Sequence, residues 1–374
     1  MARTNRLHDL PPRNEASEML HFDSLMAASG LSAPTRDLDE RTVLTALDEH
    51  FRLTGRLTRI PTEKDETFVL HTDHERLLVK VSGEQEAPSI VNLQTSALLH
   101  IAQSAPNLPI PSVQRGTDGR YEYDLAGPGG PGARVLRVMK FLPGSALSSN
   151  HPTKEQIATV GRTHAAITDA LADFSHPQQA RILVWDLRYF MSLRPLLEQI
   201  NQPEDRKLGE QIFDAFAHHV GSRIPQLRHQ VVHGDFSAHN VLVDDNQPEY
   251  VSGIIDFGDT TDTAEIFDVA IAMSNQLDAH ADDPWHRALD MLSGYLAGRT
   301  PDANELSLLP IATASRSLQR VLIAQWRAYR DPSRADYVLS HAAHDWAVIR
   351  SIPGPTWTEV VDRIHSINAS SSTR

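Results

Sequence analysis

The chain has 374 residues, 40% apolar and 22% charged, with a net charge of -13 and no cysteine. The missing cysteine excludes disulfides, thiolate nucleophiles and Cys-ligated zinc, and the acidic balance opposes nucleic acid and anionic lipid while suiting a cationic small substrate. No apolar run approaches the roughly 20 residues that span a bilayer, and the opening MARTNRLHDLPPRNE lacks the apolar core of a secretory signal, so no membrane partner and a cytoplasmic location are expected.

A single hydrophobic core stops growing below this length, so two lobes are expected. Residues 1–35 are polar and proline-bearing apart from MLHFDSLMAASG, and read as a loosely attached arm with one helix. DLDERTVLTALDEHF has helical spacing with an acidic first turn, whereas ETFVLHT and ERLLVKVS are short bounded aliphatic runs of strand character. With the helix SIVNLQTSALLHIAQ and the strand ARVLRVMKFLPG they make an α+β N-lobe over 36–142, closed by the hinge candidate Pro143-Gly144. AGPGGPGAR, 126–134, is glycine-rich, but its prolines remove amide donors and it lacks P-loop spacing, so it reads as a connection between strands.

Beyond the hinge, TKEQIATVGRTHAAITDALADF, LGEQIFDAFAHHV, WHRALDMLSGYLAG and LSLLPIATASRSLQRVLIAQWRAYR all carry spacings of three and four. The second lobe, 143–355, is therefore mainly helical, and 356–374 is read as a tail. QVVHGDF, NVLVDD and VSGIIDFGD break the helical pattern as short strands joined by turns. His341 and His344 beside Asp345 lack a third clustered ligand, so no zinc site is read there.

Those three short strands hold the chemistry. Asp235 and Asn240 are separated by four intervening residues in HGDFSAHN, and Asp256 follows in IIDFGD, so three oxygen-bearing side chains are expected to converge at the ends of adjacent strands. Phosphoryl transfer from ATP needs such a set: one carboxylate to receive and orient the acceptor hydroxyl, with an amide oxygen and a second carboxylate to hold magnesium against the phosphates. Any one of these residues alone would be read as a turn cap, but the joint pattern is far rarer.

HGDFSAHN and IIDFGD resemble the signature motifs of the aminoglycoside phosphotransferase and choline kinase superfamily, protein-kinase-like enzymes that phosphorylate small hydroxyl compounds. The resemblance implies an α+β bilobal protein-kinase-like fold, with a small β-rich N-terminal lobe and a larger, mainly helical C-terminal lobe. It also implies Mg2+ and ATP or GTP as the phosphoryl donor. It makes Asp235 the catalytic base, Asn240 and Asp256 the magnesium ligands, His233 a residue shaping the catalytic loop, and Asp268 its structural anchor. Lys80 in LLVKVS resembles the strand lysine that pairs with the phosphates, and TEKDETF, 62–68, stands where the family has its phosphate-covering hairpin. Thr62, Lys64, Met139 and Phe141 are the further nucleotide contacts this implies. The chain departs from the pattern at Asn92, aligned with an acidic partner for the lysine, so Glu84, Glu86 or a neutral group is expected to orient Lys80.

Within the superfamily the likeness is nearest to the hydroxylysine kinases. It spans most of residues 40–352 and includes VLRVMKFLPG, ALADFSHP, LVWDL and LIAQWRAYRDPSRADYVLSHAAHDWAVI. A hydroxylated diamino acid needs a cation for its carboxylate and acidic or aromatic groups for its ammonium ends, roles open to Arg316, Asp259, Asp186 and Trp185. The expected reaction is phosphorylation of an amino acid or amino alcohol, 5-hydroxylysine first. The alternatives are an aminoglycoside acceptor and a nucleotide-binding module without catalysis.

Overall fold

The computed structural model describes residues 20–30, 38–62, 64–126, 133–330, 335–354 and 356–371. The aliphatic runs of the N-terminal lobe form β1 (Arg56–Ile60), β2 (Glu66–His71), β3 (Arg76–Val81), β4 (Tyr123–Ala126) and β5 (Ala133–Lys140). They make one antiparallel sheet in the order β1-β2-β3-β5-β4. Strand periodicity then sorts the side chains between two faces. Phe68, Leu70, Leu77, Val79, Leu136 and Val138 point to one face, where they form a core with Val43 and Leu47. Those two residues come from the amphipathic helix α2 (Glu40–Phe51), capped by the Asp39 carboxylate accepting from Arg41 N. Lys80 and its register partner Arg137 point to the other face, toward α3 (Pro88–Ser104) and the cleft.

The helical lobe begins after β6 (Ser145–Ala146) with α4 (Lys154–Ala170), whose start carries a Thr153–Gln156 capping box. It continues through α5 (Pro203–His219), α6 (Glu265–Ser274), α7 (His286–Gly298), α8 (Ala303–Leu306), α9 (Leu309–Arg330) and α10 (Ala335–Ser351). Helices α4 and α7 approach so closely that a Cβ at Gly161 would collide with the Met291 carbonyl. Between the helices lie two small antiparallel groups: β7 (His229–Val232) with β10 (Thr261–Ala264), and β6 with β8 (Val241–Val243) and β9 (Val251–Ile254). Their connecting turns carry both signature motifs. The fold is thus the expected bilobal, kinase-like one, a small antiparallel sheet region beside a mainly helical remainder.

Two expectations need correction. The apolar stretch of the N-terminal arm forms α1 (Phe22–Ala28), and it is docked rather than loose: Leu25 and Met26 are buried in the core of the helical lobe. The segment read as a tail forms α11 (Thr356–Ser371), which places Val360 and Ile364 in that same core. The rest of the arm outside 20–30, and residues 127–132 of the glycine-rich connection, lie outside the described residues.

Candidate active site

Strand β7 ends at Val232, and His233 turns into the protein. Its Nε2 donates to the Ile255 carbonyl at 3.1 Å while its Nδ1 accepts from Asp235 N at 3.3 Å, so one ring tautomer ties the two motif loops together. Burial pushes the His233 pKa down, which favours that neutral form. Gly234 has φ +84°, and a Cβ there would strike the Asp259 carbonyl, so both conformation and space require glycine. Its N–H donates to Asp268 Oδ1 at 2.9 Å. Asp268 Oδ2 lies 2.8 Å from His164 Nε2 in an enclosed pair. Burial opposes the Asp268 charge, but the His164 hydrogen bond and charge outweigh it and hold its pKa low. The loop is therefore anchored from beneath by an ionised carboxylate.

Held this way, Asp235 presents its carboxylate to a cleft of about 910 Å3 between the lobes. Oδ2 accepts from Asn240 Nδ2 at 2.8 Å, which leaves Asn240 Oδ1 as the amide's remaining acceptor. Oδ1 lies 3.4 Å from the Arg316 guanidinium. Burial raises the Asp235 pKa to about 6, with Asp259 and Asp256 adding to the rise and Arg316 opposing it. Asp256 lines the same cleft in the left-handed conformation at φ +62°, its carboxylate 3.4 Å from Lys80 Nζ. The Lys80 charge and the burial that opposes it leave the Asp256 pKa below its ordinary value. Asp235, Asn240 and Asp256 thus line one cleft, as expected from their spacing. Two oxygen donors of this kind, an amide and an ionised carboxylate, suit magnesium, which takes the rest of its shell from phosphates and water.

Lys80 is where the expectation fails in detail. Its partner is neither Glu84, which is exposed, nor Glu86, which pairs with Arg181 at 3.1 Å. Lys80 Nζ instead meets Asp65 Oδ2 at 3.0 Å, a carboxylate from the turn before β2. Burial disfavours the Lys80 charge, yet Asp256 and Asp65 outweigh it and raise its pKa. Asn92 is exposed and bonds Glu122 and His176; the cleft-facing residue of α3 is Gln94. Thr62 and Lys64 line the cleft as expected, Thr62 with its hydroxyl given to the Asp65 carbonyl and Lys64 at 3.7 Å from Asp259. Met139 does not line it: its side chain is buried in the core, and its backbone forms a β-bridge with Val113. Phe141 is half-buried under the Arg76 guanidinium and also does not line the cleft, so the structure places neither side chain beside Thr62, Lys64 and Lys80.

At the far end Arg316 donates to the Trp185 carbonyl at 2.8 Å and to Gln319 Oε1 at 2.9 Å, with its guanidinium 5.1 Å from the Trp185 ring centroid. Asp259, Trp185 and Arg316 all line the cleft. Asp186 does not, which corrects its reading as a substrate contact. It caps the 3-10 helix Leu187–Gln199, and its two oxygens are taken by Arg188 and Thr263. Sequence reasoning passed over Arg320, which also lines the cleft and is bound bidentately by Asp345 at 2.6 and 3.1 Å.

Residues 56–306 match the family described as APH, phosphotransferase enzyme family. The sequence is 24% identical to hydroxylysine kinase of Mus musculus over 321 residues, covering 80% of this chain and 84% of that protein. A microcompartment-associated aminopropanol kinase superposes with a TM-score of 0.67 at 17% identity, covering 86% of this chain and 98% of that one. An amicoumacin kinase, solved with AMP-PNP and Ca2+, gives a TM-score of 0.64 at 14% identity over 84% of this chain and 94% of its own. Among the described residues no helix is long and apolar enough to cross a membrane. With more than half of its length matched, the chain belongs to the APH phosphotransferase family, small-molecule kinases that phosphorylate a hydroxyl group.

Proposed function

We propose that this protein transfers the γ-phosphoryl group of ATP or GTP to a hydroxyl of an amino acid or amino alcohol, with 5-hydroxylysine as the acceptor. The observation that carries this reading is the position of the Asp235 carboxylate. It lies between a donor side made by Asn240, Asp256 and Lys80 and an acceptor side made by Arg316 and Trp185, all in one cleft.

Asp235 orients the acceptor hydroxyl and takes its proton as the hydroxyl oxygen bonds to the γ-phosphorus and the bond from that phosphorus to the bridging oxygen breaks, releasing ADP or GDP. The transition state of such transfers is loose, so alignment and charge stabilisation supply most of the rate. Magnesium bound with the nucleotide neutralises charge on the phosphate oxygens, and Asn240 Oδ1 and the Asp256 carboxylate are the groups that would hold it. Lys80 binds the phosphates by exchanging its contacts with Asp256 and Asp65 for phosphate oxygens. Arg316 receives the acceptor carboxylate, while Asp259 and the Trp185 ring receive an ammonium group. An aminoglycoside is a polycation without a carboxylate, so it offers no anionic partner to the Arg316 guanidinium at the acceptor end. Relatives named hydroxylysine kinase support the same acceptor.

The test is purified protein with magnesium, ATP or GTP, and a panel of 5-hydroxylysine, homoserine, small amino alcohols and kanamycin, read by mass spectrometry for gain of one phosphoryl group. The expected result is the highest kcat/KM for 5-hydroxylysine. Turnover of kanamycin alone would overturn the acceptor, and nucleotide binding with no product would overturn catalysis.

A further inference from the structure

Arg137 stands beside Lys80 in the register of β5 and β3, so the two cations share one face of the sheet with Cβ atoms about 5 Å apart. Its side chain is 3% exposed. The hydrogen-bond partners of its guanidinium are neutral: Gln94 Oε1 accepts from Nη2 at 2.7 Å and the Thr95 hydroxyl from Nη1 at 3.5 Å. Among the described residues its Nε has no partner. No carboxylate among the described residues is in ion-pair contact with it: Asp65 and Asp256 meet Lys80, Glu86 meets Arg181, and Glu122, whose charge also bears on Arg137, accepts from the neutral Asn92. A buried charge without a counter-ion is destabilising, and it persists where something else compensates it. Gln94 lines the cleft, so the amide that holds this guanidinium forms part of the wall facing the triphosphate.

We infer that Arg137 is a second cation of the phosphate site, whose charge is left for the anionic nucleotide because its helix partner is the neutral Gln94 rather than an acid. This rests on the nucleotide reading of the cleft. A glutamate at 94 would neutralise Arg137 in the empty protein and remove the pull on the phosphates. The competing role is a plain structural tether between α3 and the sheet. The two differ in the unliganded state: a tether stabilises it, whereas an uncompensated charge does not.

The experiment measures Mg2+·AMP-PNP affinity by calorimetry and the melting temperature without nucleotide, for the wild type, Arg137→Met, Arg137→Lys and Gln94→Glu. The inference predicts affinity lowered on the order of ten- to a hundredfold in Arg137→Met and Gln94→Glu, as for loss of a charge-assisted contact, with Arg137→Lys within a few-fold of wild type. It also predicts melting temperatures of the unliganded Met and Glu variants equal to or above that of the wild type. Wild-type affinity in both Arg137→Met and Gln94→Glu, or a lowered melting temperature with affinity retained, would overturn it. Should Arg137→Met not fold, Arg137→Gln decides in its place: weakened binding supports the inference and unchanged binding overturns it. Wild-type protein that does not bind AMP-PNP would remove the nucleotide reading itself, an outcome distinct from equal binding by wild type and variants.

Discussion

Asp235→Asn removes a charge that the fold disfavours while keeping the shape of the side chain. The Asp235 carboxyl is raised from 3.8 to about 6, chiefly by burial. For an acid raised on folding, the stability contribution is complete below pH 3.8 and lost as the pH rises through about 6. At pH 8 the folded protein therefore carries an ionised carboxylate at a cost. Two pKa units at about 1.4 kcal/mol each give roughly 3 kcal/mol. The side chain is 30% exposed, so solvent screening reduces this to about 1–2 kcal/mol. Asparagine keeps an oxygen to accept from Asn240, so the variant is expected to melt about 1–3 °C higher than wild type at pH 8. That gain should shrink as the pH falls through 6 toward 5. Turnover should fall on the order of a hundred- to ten-thousandfold, the usual cost of losing a positioned base. Calorimetric melting across this pH range, with steady-state kinetics on the same preparations, makes the comparison. A variant that melts lower at pH 8, or that keeps near-wild-type turnover, would refute the reasoning.

Because Asp235 must be ionised to accept a proton, kcat/KM should fall about tenfold per pH unit below pH 6, and the Asp235→Asn variant should lack that acid limb; a wild-type profile flat down to pH 5 would contradict it. Gly234→Ala forces a left-handed residue against the Asp259 carbonyl, so it should cost about 2 kcal/mol or more in urea unfolding together with most of the activity. Arg316→Lys loses the planar fork, and should raise KM for 5-hydroxylysine roughly ten- to a hundredfold with KM for nucleotide little changed.

The catalytic loop was legible because its determinants are local. Asp235, Asn240 and Asp256 lie within 22 residues, and the turns that aim them are written in Gly234 and in the flanking aliphatic runs. The two lobes were legible from the change in periodicity after Pro143. The partner of Lys80 was not, since it is the register of β2 against β3 that brings Asp65 to it. Asn92, the aligned position, lies two residues before the cleft-lining Gln94. On a helix that is about 200° of rotation, enough to exchange the cleft for solvent. Asp186 was misplaced for the opposite reason: a helix cap and a substrate contact ask for the same short carboxylate, and only its enclosure by Arg188 and Thr263 separates them. Helix α11 carries Val360, Ile364 and Ile367 at helical spacing, a signal present in the sequence but outweighed by the polar residues around it.

The most direct test of the central claim is binding of Mn2+, as a magnesium surrogate, together with AMP-PNP, followed by electron paramagnetic resonance in wild type, Asn240→Ala and Asp256→Asn. If these side chains hold one divalent ion against the nucleotide, wild type binds Mn2+ only when AMP-PNP is present and each variant loses at least tenfold in affinity. Unchanged Mn2+ binding in both variants would contradict the account.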